Sequence, residues 1–218
     1  MNEPRVRLIV TGDDFGYCPL RDRGLVEAFL AGALTGVSLL VNGASADTAA
    51  QLARRHGIPA GLHANLSEGR PVSPSLGSRA SLVGPGGFFL GKMGFRKALA
   101  EGRVLLPEVR EELRAQLSRF QNLLGQEPTH VDGHQHVHVL PGRGPRRGGG
   151  VPYRCGSEHK PSCFFSRLTP PPPQCFKHSL RPSFWSPSHG HSPVVSVSFL
   201  SCRAQNREAG FVSALSYQ

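Results

Sequence analysis

The segment Val-Arg-Leu-Ile-Val-Thr-Gly-Asp-Asp-Phe-Gly, residues 6–16, carries the clearest fold signal in the chain. Its first six residues are mostly apolar, and after one glycine they are followed by Asp13 and Asp14. A short apolar run closed by glycine and acidic residues is typical of a buried strand that ends in a loop. We therefore predict a strand over residues 6–11 with two carboxylates at its carboxyl end.

Helix and strand patterns alternate after this segment. They predict a helix around residues 25–30, a strand over 36–41, a helix over 45–56 that stops at Gly57, and a strand over 58–66. The β-α-β-α-β order is typical of a parallel sheet with crossover helices. The fold class predicted from the residues is therefore α/β.

The following residues contain one strong pattern. Residues 67–100 are rich in Ser, Gly and Pro, which predicts a long loop. From Pro107 an apolar stripe with helical spacing predicts a helix over 107–124, ended by Gly125. A short fourth strand is predicted over 129–132.

The stretch Thr-His-Val-Asp-Gly-His-Gln-His-Val-His, residues 129–138, places four of the ten histidines and a carboxylate within ten residues. Loops converge at the carboxyl ends of strands in parallel α/β folds, and active sites form there. Four candidate side chains stand in or beyond the predicted strands: Asp13, Asp14, His63 and His134. We predict that they point into one crevice.

Imidazole and carboxylate groups together are typical ligands of a catalytic divalent cation. Three protein ligands leave coordination positions open for water and substrate. Because adjacent strand side chains diverge, one aspartate of the pair is expected as a ligand and the other as a general base. Such a site hydrolyses an amide or an ester.

Each of these residues also has a simpler interpretation. The pair Asp13 and Asp14 fits a helix cap or a solvated turn. His63 fits a hydrogen-bonded core residue, and the histidine cluster could be coincidental. His56 is interpreted as a partner of the helix dipole rather than as a ligand.

The composition changes near residue 142. Residues 143–218 contain ten Lys and Arg against two acids, a net charge of +8 out of the formal +10 of the chain. Four of the five cysteines and ten of the nineteen prolines also lie there. We predict two regions, with 1–142 folded and 143–218 a basic Pro/Gly/Ser-rich tail that is mostly disordered. Only residues 194–200 of this tail alternate as a strand does.

The composition and the spacing of residues also predict several absences. Most of the net positive charge lies in the tail and only +2 in residues 1–142, and we expect no nucleic-acid partner. The tail cysteines and histidines match no paired Cys-x-x-Cys spacing, which argues against a zinc module. No apolar run approaches about eighteen residues, so no membrane span is expected. Without a signal peptide the expected location is the cytoplasm, and Cys18 alone cannot support a disulfide framework in residues 1–142.

Four motifs together resemble one known family. They are Val-Thr-Gly-Asp-Asp-Phe-Gly (10–16), Leu-Val-Asn-Gly (40–43), Gly-Leu-His-Ala-Asn-Leu (61–66) and Pro-Thr-His-Val-Asp-Gly-His-Gln-His-Val-His (128–138). In this order they resemble the YdjC-type carbohydrate deacetylases, the family of chitooligosaccharide deacetylase, including its animal members. The resemblance covers about residues 5–142. It implies a distorted (β/α) barrel, incomplete here, and removal of acetyl groups from N-acetylated sugars such as chitooligosaccharides.

The resemblance also implies roles for individual residues. Asp13 matches the proton acceptor, and the metal ligands are matched by Asp14, His63 and His134. The expected ion is Mg²⁺, and the same ligand set would accept Zn²⁺. The motif contains three further histidines without an assigned role: His130, His136 and His138.

The chain departs from the family pattern from about Arg143, where the basic tail replaces the remaining barrel. We interpret the tail as an alternative C-terminus from a different reading of the message, as in alternative splicing. The predicted function is a metal-dependent hydrolase that deacetylates N-acetylated carbohydrates. The alternative is a non-catalytic truncated variant that folds poorly or acts by binding a partner. The preferred sugar and the oligomeric state are left open.

Overall fold

A computed structural model describes residues 7–140 and 194–199 of the chain. The described residues divide into two compact units, the first containing 7–63, 117–132 and 194–199 and the second containing 64–116 and 133–140.

The strands form one five-stranded sheet with the order β4-β3-β2-β1-β5. Their bounds are β1 Arg7–Phe15, β2 Gly36–Leu39, β3 Ala60–Ala64, β4 Val131–Gly133 and β5 Val194–Phe199. β1 pairs in parallel with β2 and with β5, and β2 pairs in parallel with β3. The N–H of Thr129 donates to Ala60 O, and the N–H of Leu62 donates to His130 O. The segment leading into β4 therefore runs parallel to β3.

Successive strands β1 to β4 are adjacent, and helices lie between them in the chain. The helices are α1 Pro19–Leu30, α2 Ala46–His56, α3 Gly91–Ala100 and α4 Leu106–Leu124. Four consecutive parallel strands with helices correspond to about half of an eight-stranded (β/α) barrel. The predicted α/β class with an incomplete barrel is therefore confirmed. None of the helices among the described residues is both long and apolar enough to cross a membrane.

Local signals account for the start of α1, which lies six residues before the predicted helix around 25–30, and for the predicted end of α2. α1 begins with proline in its first turn, where the missing N–H is not needed. α2 ends at Gly57, which takes the left-handed conformation (φ 63°) and donates its N–H to Ala53 O. The predicted helices over 45–56 and 107–124 agree with α2 and α4 to within one residue.

β1 differs from its predicted bounds, because it continues through both aspartates to Phe15. Its register against β2 shifts between Gly12 and Phe15, which is a bulge, and Asp14 has φ 61°. A non-glycine residue with positive φ is uncommon, and aspartate is among the few that tolerate it. The two carboxylates thus lie on a bulged strand end rather than in the loop after it.

The prediction of a loop over residues 67–100 is wrong for its last ten residues, which form α3. The helix was not predicted because two glycines in its first turn lower the helix propensity of the sequence. Phe95, Ala98 and Leu99 are buried at helical spacing along one face. Burial of that face therefore outweighs the propensity of the local sequence.

β5 lies in the tail for which disorder was predicted. It pairs with β1 from Arg7 opposite Val194 to Gly12 opposite Phe199. This is the part of the tail where the sequence alternates as a strand does. The rest of the disorder prediction for 143–218 lies outside the described residues.

The core of the first unit includes both faces of the sheet. Every residue of β2 and of β3 is buried, as expected of strands covered on both sides. From α2, Ala49, Ala50 and Ala53 are buried as well. Small side chains on this helix allow it to pack closely.

The second unit contains a buried polar network centred on Glu112, which is fully buried in α4. Its carboxylate accepts the backbone N–H groups of Val72 and Ser73, each at 2.9 Å, and the side-chain amide of Gln116 at 2.7 Å. Gln116 in turn bonds the backbone N–H and carbonyl of Asn65. Two turns of α4 therefore fix the segment that follows β3.

We predict that Glu112→Ala lowers the free energy of unfolding by about 2 to 4 kcal/mol, because buried N–H donors lose their acceptor. Urea denaturation followed by circular dichroism measures the change. Glu111→Ala is the matched control: Glu111 is exposed, and its loss should change stability by no more than about 0.5 kcal/mol. Equal effects of the two substitutions would contradict the role given to the network.

Candidate metal centre

The first unit brings four acidic and imidazole side chains together: Asp13, Asp14, His63 and Asp132. Potential ligand atoms of Asp13, His63 and Asp132 all lie within 4.8 Å of one another. His63 Nε2 lies 3.3 Å from Asp14 Oδ1. His63 is only 3% exposed, so the cluster is largely screened from water. The predicted convergence of the aspartate pair with His63 is thus observed.

The turn after the two aspartates is fixed by Asp22 of α1. Its carboxylate accepts the N–H of Gly16 at 2.7 Å and the hydroxyl of Ser45 at 2.5 Å. Burial of this carboxyl raises the pKa of Asp22, although both hydrogen bonds oppose the shift. The bulged end of β1 is therefore held by contacts from α1 and from the start of α2.

Arg21 of α1 balances part of the negative charge. Its Nη1 lies 2.8 Å from Asp14 Oδ2, and its guanidinium lies 4.3 Å from the centre of the Tyr17 ring. Asp14 consequently directs one oxygen toward Arg21 and the other toward His63. Arg21 was not predicted as a site residue, because its position in the first turn of α1 depends on where that helix begins.

Both ring nitrogens of His63 face carboxylates. Nδ1 lies 2.7 Å from Asp132 Oδ1, and Nε2 faces Asp14. Burial lowers the pKa of His63, but Asp132, Asp14 and Asp13 outweigh this effect and raise the pKa to about 10. Without a bound cation, His63 is therefore an imidazolium at neutral pH.

Asp132 is bonded on both of its oxygens. The hydroxyl of Ser38 donates to Oδ2 at 2.8 Å, and the same hydroxyl oxygen lies 2.8 Å from His130 Nε2. Burial raises the pKa of Asp132, but the combined effect of His63, His130 and Ser38 is larger and lowers the pKa below its ordinary value. Burial lowers the pKa of His130. Two donors thus stabilise the ionised Asp132.

Asp132 lies within the histidine motif, but the motif alone does not predict its role. Residues 130 and 132 alternate along β4 and its approach, so they point to the same face of the sheet. That alternation is the signal that could have assigned them together. Ser38 had no such signal, because one serine in an apolar strand is also common as a satisfied core residue.

His134 belongs to the second unit and begins a 3₁₀ helix, His134–Val139. It is 6% exposed, and its Nε2 lies 2.8 Å from Glu68 Oε2. The next two residues, Gln135 and His136, have positive φ of 54° and 61°. The predicted place of His134 beside Asp14 and His63 stays a prediction.

The donor set of the first unit fits a divalent cation. Two donors that bind one ion at about 2.1 Å are roughly 3.0 to 3.4 Å apart in octahedral or tetrahedral geometry. The 3.3 Å between His63 Nε2 and Asp14 Oδ1 lies in this range. Imidazole nitrogen with carboxylate oxygen suits zinc and, with more oxygen ligands, magnesium.

The family model described as YdjC-like protein matches residues 7–145. The chain belongs to the YdjC-like family. The resemblance inferred from the four motifs is therefore confirmed. The matched range of this YdjC-like chain includes Asp13, Asp14, His63, Asp132 and the histidine cluster.

Named relatives of the YdjC-like chain are deacetylases. It is 75% identical over 139 residues to a carbohydrate deacetylase of Mus musculus, covering 64% of this chain and 45% of that one. With the carbohydrate deacetylase of Homo sapiens it is 72% identical over 142 residues, covering 65% and 44%. With the chitooligosaccharide deacetylase of Serratia marcescens it is 44% identical over 135 residues, covering 62% and 51%. The chain spans about half the length of the curated relatives it matches.

A solved structure is similar in fold to this YdjC-like chain. It is a crystal structure of an Enterococcus faecalis V583 protein provisionally assigned to cellobiose-phosphate cleavage. The TM-score is 0.55 at 31% sequence identity, and the match covers 62% of this chain and 51% of the other. The half-barrel arrangement thus has a counterpart determined by experiment.

We predict that the YdjC-like chain, freed of metal by a chelator, owes part of its stability to protonated His63. The folded-state pKa is raised from 6.5 to about 10, so this stabilisation is complete below pH 6.5 and disappears as the pH rises through 10. Urea unfolding of wild type and His63→Gln at about pH 6 and about pH 10 tests the sign. The advantage of wild type should shrink at the higher pH, and an advantage that grows would contradict the assignment. His56→Gln is the control for losing an imidazole outside the cluster.

Proposed function

We propose that this protein is a metal-dependent hydrolase that removes acetyl groups from N-acetylated carbohydrates such as chitooligosaccharides. The observation that carries the proposal is the buried cluster in which Asp13 and Asp14 approach His63. The names of the mammalian and bacterial relatives support the substrate class.

Asp14, His63 and His134 are the proposed ligands. Asp14 and His63 are supported by the approach of Oδ1 to Nε2 and by burial that would exclude competing water. The place of His134 rests on the motif shared with the family and on its burial in the second unit. A divalent cation bound there would polarise the acetamido carbonyl and make a neighbouring water more acidic.

Asp13 is the proposed general base. It lies beside Asp14 on the bulged end of β1, is 4% exposed, and belongs to the group of side chains around His63. Its carboxylate accepts one proton from the attacking water, whose oxygen forms a bond to the acetyl carbon. The carbon–nitrogen bond then breaks, the sugar nitrogen takes up the proton, and the products are acetate and an amino sugar.

Arg21 and Asp22 support this arrangement without touching the reacting atoms. Arg21 orients Asp14 through its second oxygen, which leaves Oδ1 for the ligand role. Asp22 anchors the backbone at Gly16, two residues after Asp14. The expected ion is Mg²⁺, and Zn²⁺ is the competing candidate, since both accept carboxylate and imidazole donors.

A second candidate function follows from exposed apolar side chains on β1. Leu8 and Ile9 are 55% and 44% exposed, and as adjacent strand residues they point to opposite faces of the sheet. Exposed apolar positions on a strand favour contact with another chain. The candidate is therefore a non-catalytic chain that acts by binding a partner.

We predict that the full chain, supplied with Mg²⁺ or Zn²⁺, releases acetate from N-acetylglucosamine oligomers. Asp13→Asn should lower kcat by about 10² to 10⁴, because the amide cannot accept the proton of the attacking water. The measurement is acetate release by a coupled assay. Calorimetric titration with each ion shows whether the variant still assembles the site.

The matched control is Asp47→Asn, which changes an exposed aspartate of α2 in the same way and should keep full activity. Acetate release by Asp13→Asn equal to wild type would remove Asp13 from the mechanism. A folded chain that binds neither ion and releases no acetate would favour the second candidate function.

A further inference from the structure

The adjacent strands β2, β3 and β4 align polar groups on one face of the sheet. Ser38 of β2 lies opposite Gly61 of β3 in the parallel register, and His63 lies two residues further on the same face. His130 and Asp132 lie on the neighbouring β4 side. Because Gly61 has no side chain, groups from β2 and β4 meet across β3.

Gly61 is required for this meeting. A Cβ added at Gly61 would lie 2.3 to 2.5 Å from three atoms of the His130 ring, and Cβ contacts that short are essentially never observed. The ring therefore occupies the volume that any other residue at position 61 would fill. From there Nε2 reaches the hydroxyl of Ser38 at 2.8 Å.

The directions of these hydrogen bonds can be assigned. Ser38 has one hydroxyl proton, which it donates to Asp132 Oδ2, since a carboxylate only accepts. His130 Nε2–H must then donate to Ser38 Oγ. The Thr129 hydroxyl, 3.0 Å from His130 Nδ1, is the donor to that nitrogen. On its other oxygen, Asp132 accepts Nδ1–H from His63 at 2.7 Å.

We propose that Asp132, held by Ser38 and His130 across Gly61, is the positioning residue of the site: it binds His63 Nδ1–H and thereby presents Nε2 to Asp14. The inference rests on the proposed function, because it explains how a ligand is prepared for a cation. A histidine ligand commonly donates its other ring N–H to a carboxylate, which fixes the ring and raises its basicity. Asp132 fits that part better than a ligand role, since both of its oxygens already accept donors.

The assignment also gives a role to His130, which the motif alone left open. Its ring donates to Ser38, which donates to Asp132, so His130 supports Asp132 through Ser38. His130 itself is not one of the proposed metal ligands. Ser38 links the two residues, because its hydroxyl accepts a hydrogen bond from His130 and donates one to Asp132.

The test compares Asp132→Ala with Asp132→Asn in the full chain. Calorimetric titration with Zn²⁺ and Mg²⁺ should show Asp132→Ala binding about 10- to 100-fold more weakly than wild type. Asp132→Asn should lie between the two, because its amide oxygen still accepts Nδ1–H. Asp47→Asn, an exposed aspartate, is the matched control and should bind as wild type does.

Two further variants keep every charge in place. Ser38→Ala removes the donor to Oδ2, and Gly61→Ala displaces the His130 ring; each should weaken ion binding by less than Asp132→Ala does. They decide the inference if Asp132→Ala fails to fold. If Ser38→Ala and Gly61→Ala both bind the ions as strongly as wild type, the proposed role of Ser38 and His130 is wrong.

A readout in the metal-free chain separates this inference from the proposed function. Proton NMR of wild type should show a downfield, exchange-protected Nδ1–H of His63, and that signal should disappear in Asp132→Ala but remain in Asp47→Asn. If the signal persists in Asp132→Ala, the positioning role is wrong whether or not the chain binds an ion. If wild type shows the signal and binds neither ion, the proposed function fails while the orientation of His63 by Asp132 is upheld.

Discussion

The close approach of three carboxylates to one buried imidazole is the constraint on which this site depends. Asp13, Asp14 and Asp132 would repel one another in a poorly solvated place if nothing neutralised them. Protonated His63 and the guanidinium of Arg21 supply the opposing charge in the metal-free chain. A cation bound beside Nε2, as the proposed function requires, would displace the proton there and so would exchange one positive charge for another.

That electrostatic demand explains several features of the backbone. The bulge in β1 and the positive φ of Asp14 bring adjacent aspartates to one place, where regular strand geometry would direct them to opposite faces. Asp22 holds the turn that follows, and Gly61 leaves room for the His130 ring. Local departures from regular structure thus concentrate around the charged cluster, as is common at functional sites.

The sequence predicted most of the parallel sheet, because buried strands and the stripe of α4 carry strong patterns of their own. Asp13, Asp14, His63 and His134 were predicted as one group because they stand at or near strand ends, where parallel folds bring loops together. α3 was missed because burial of Phe95 rather than local propensity stabilises it. Asp132, Ser38 and Arg21 were missed because their roles depend on strand order, register and helix phase, and these are properties of the tertiary fold.

The sheet order has a consequence for how the chain assembles. β1, β2 and β3 are close in sequence and can associate early, whereas β5 lies far along the chain from β1 and can pair with it only after the residues between them have been synthesised. Joining two distant segments costs only about 0.6 kcal/mol more for each doubling of the chain length between them, so the pairing of β5 with β1 is delayed more than it is weakened. During that interval β1 presents an unpaired edge, and a nascent strand from a second molecule could add to it in place of β5. Quality control of this protein in the cell should therefore depend on how quickly β5 pairs with β1.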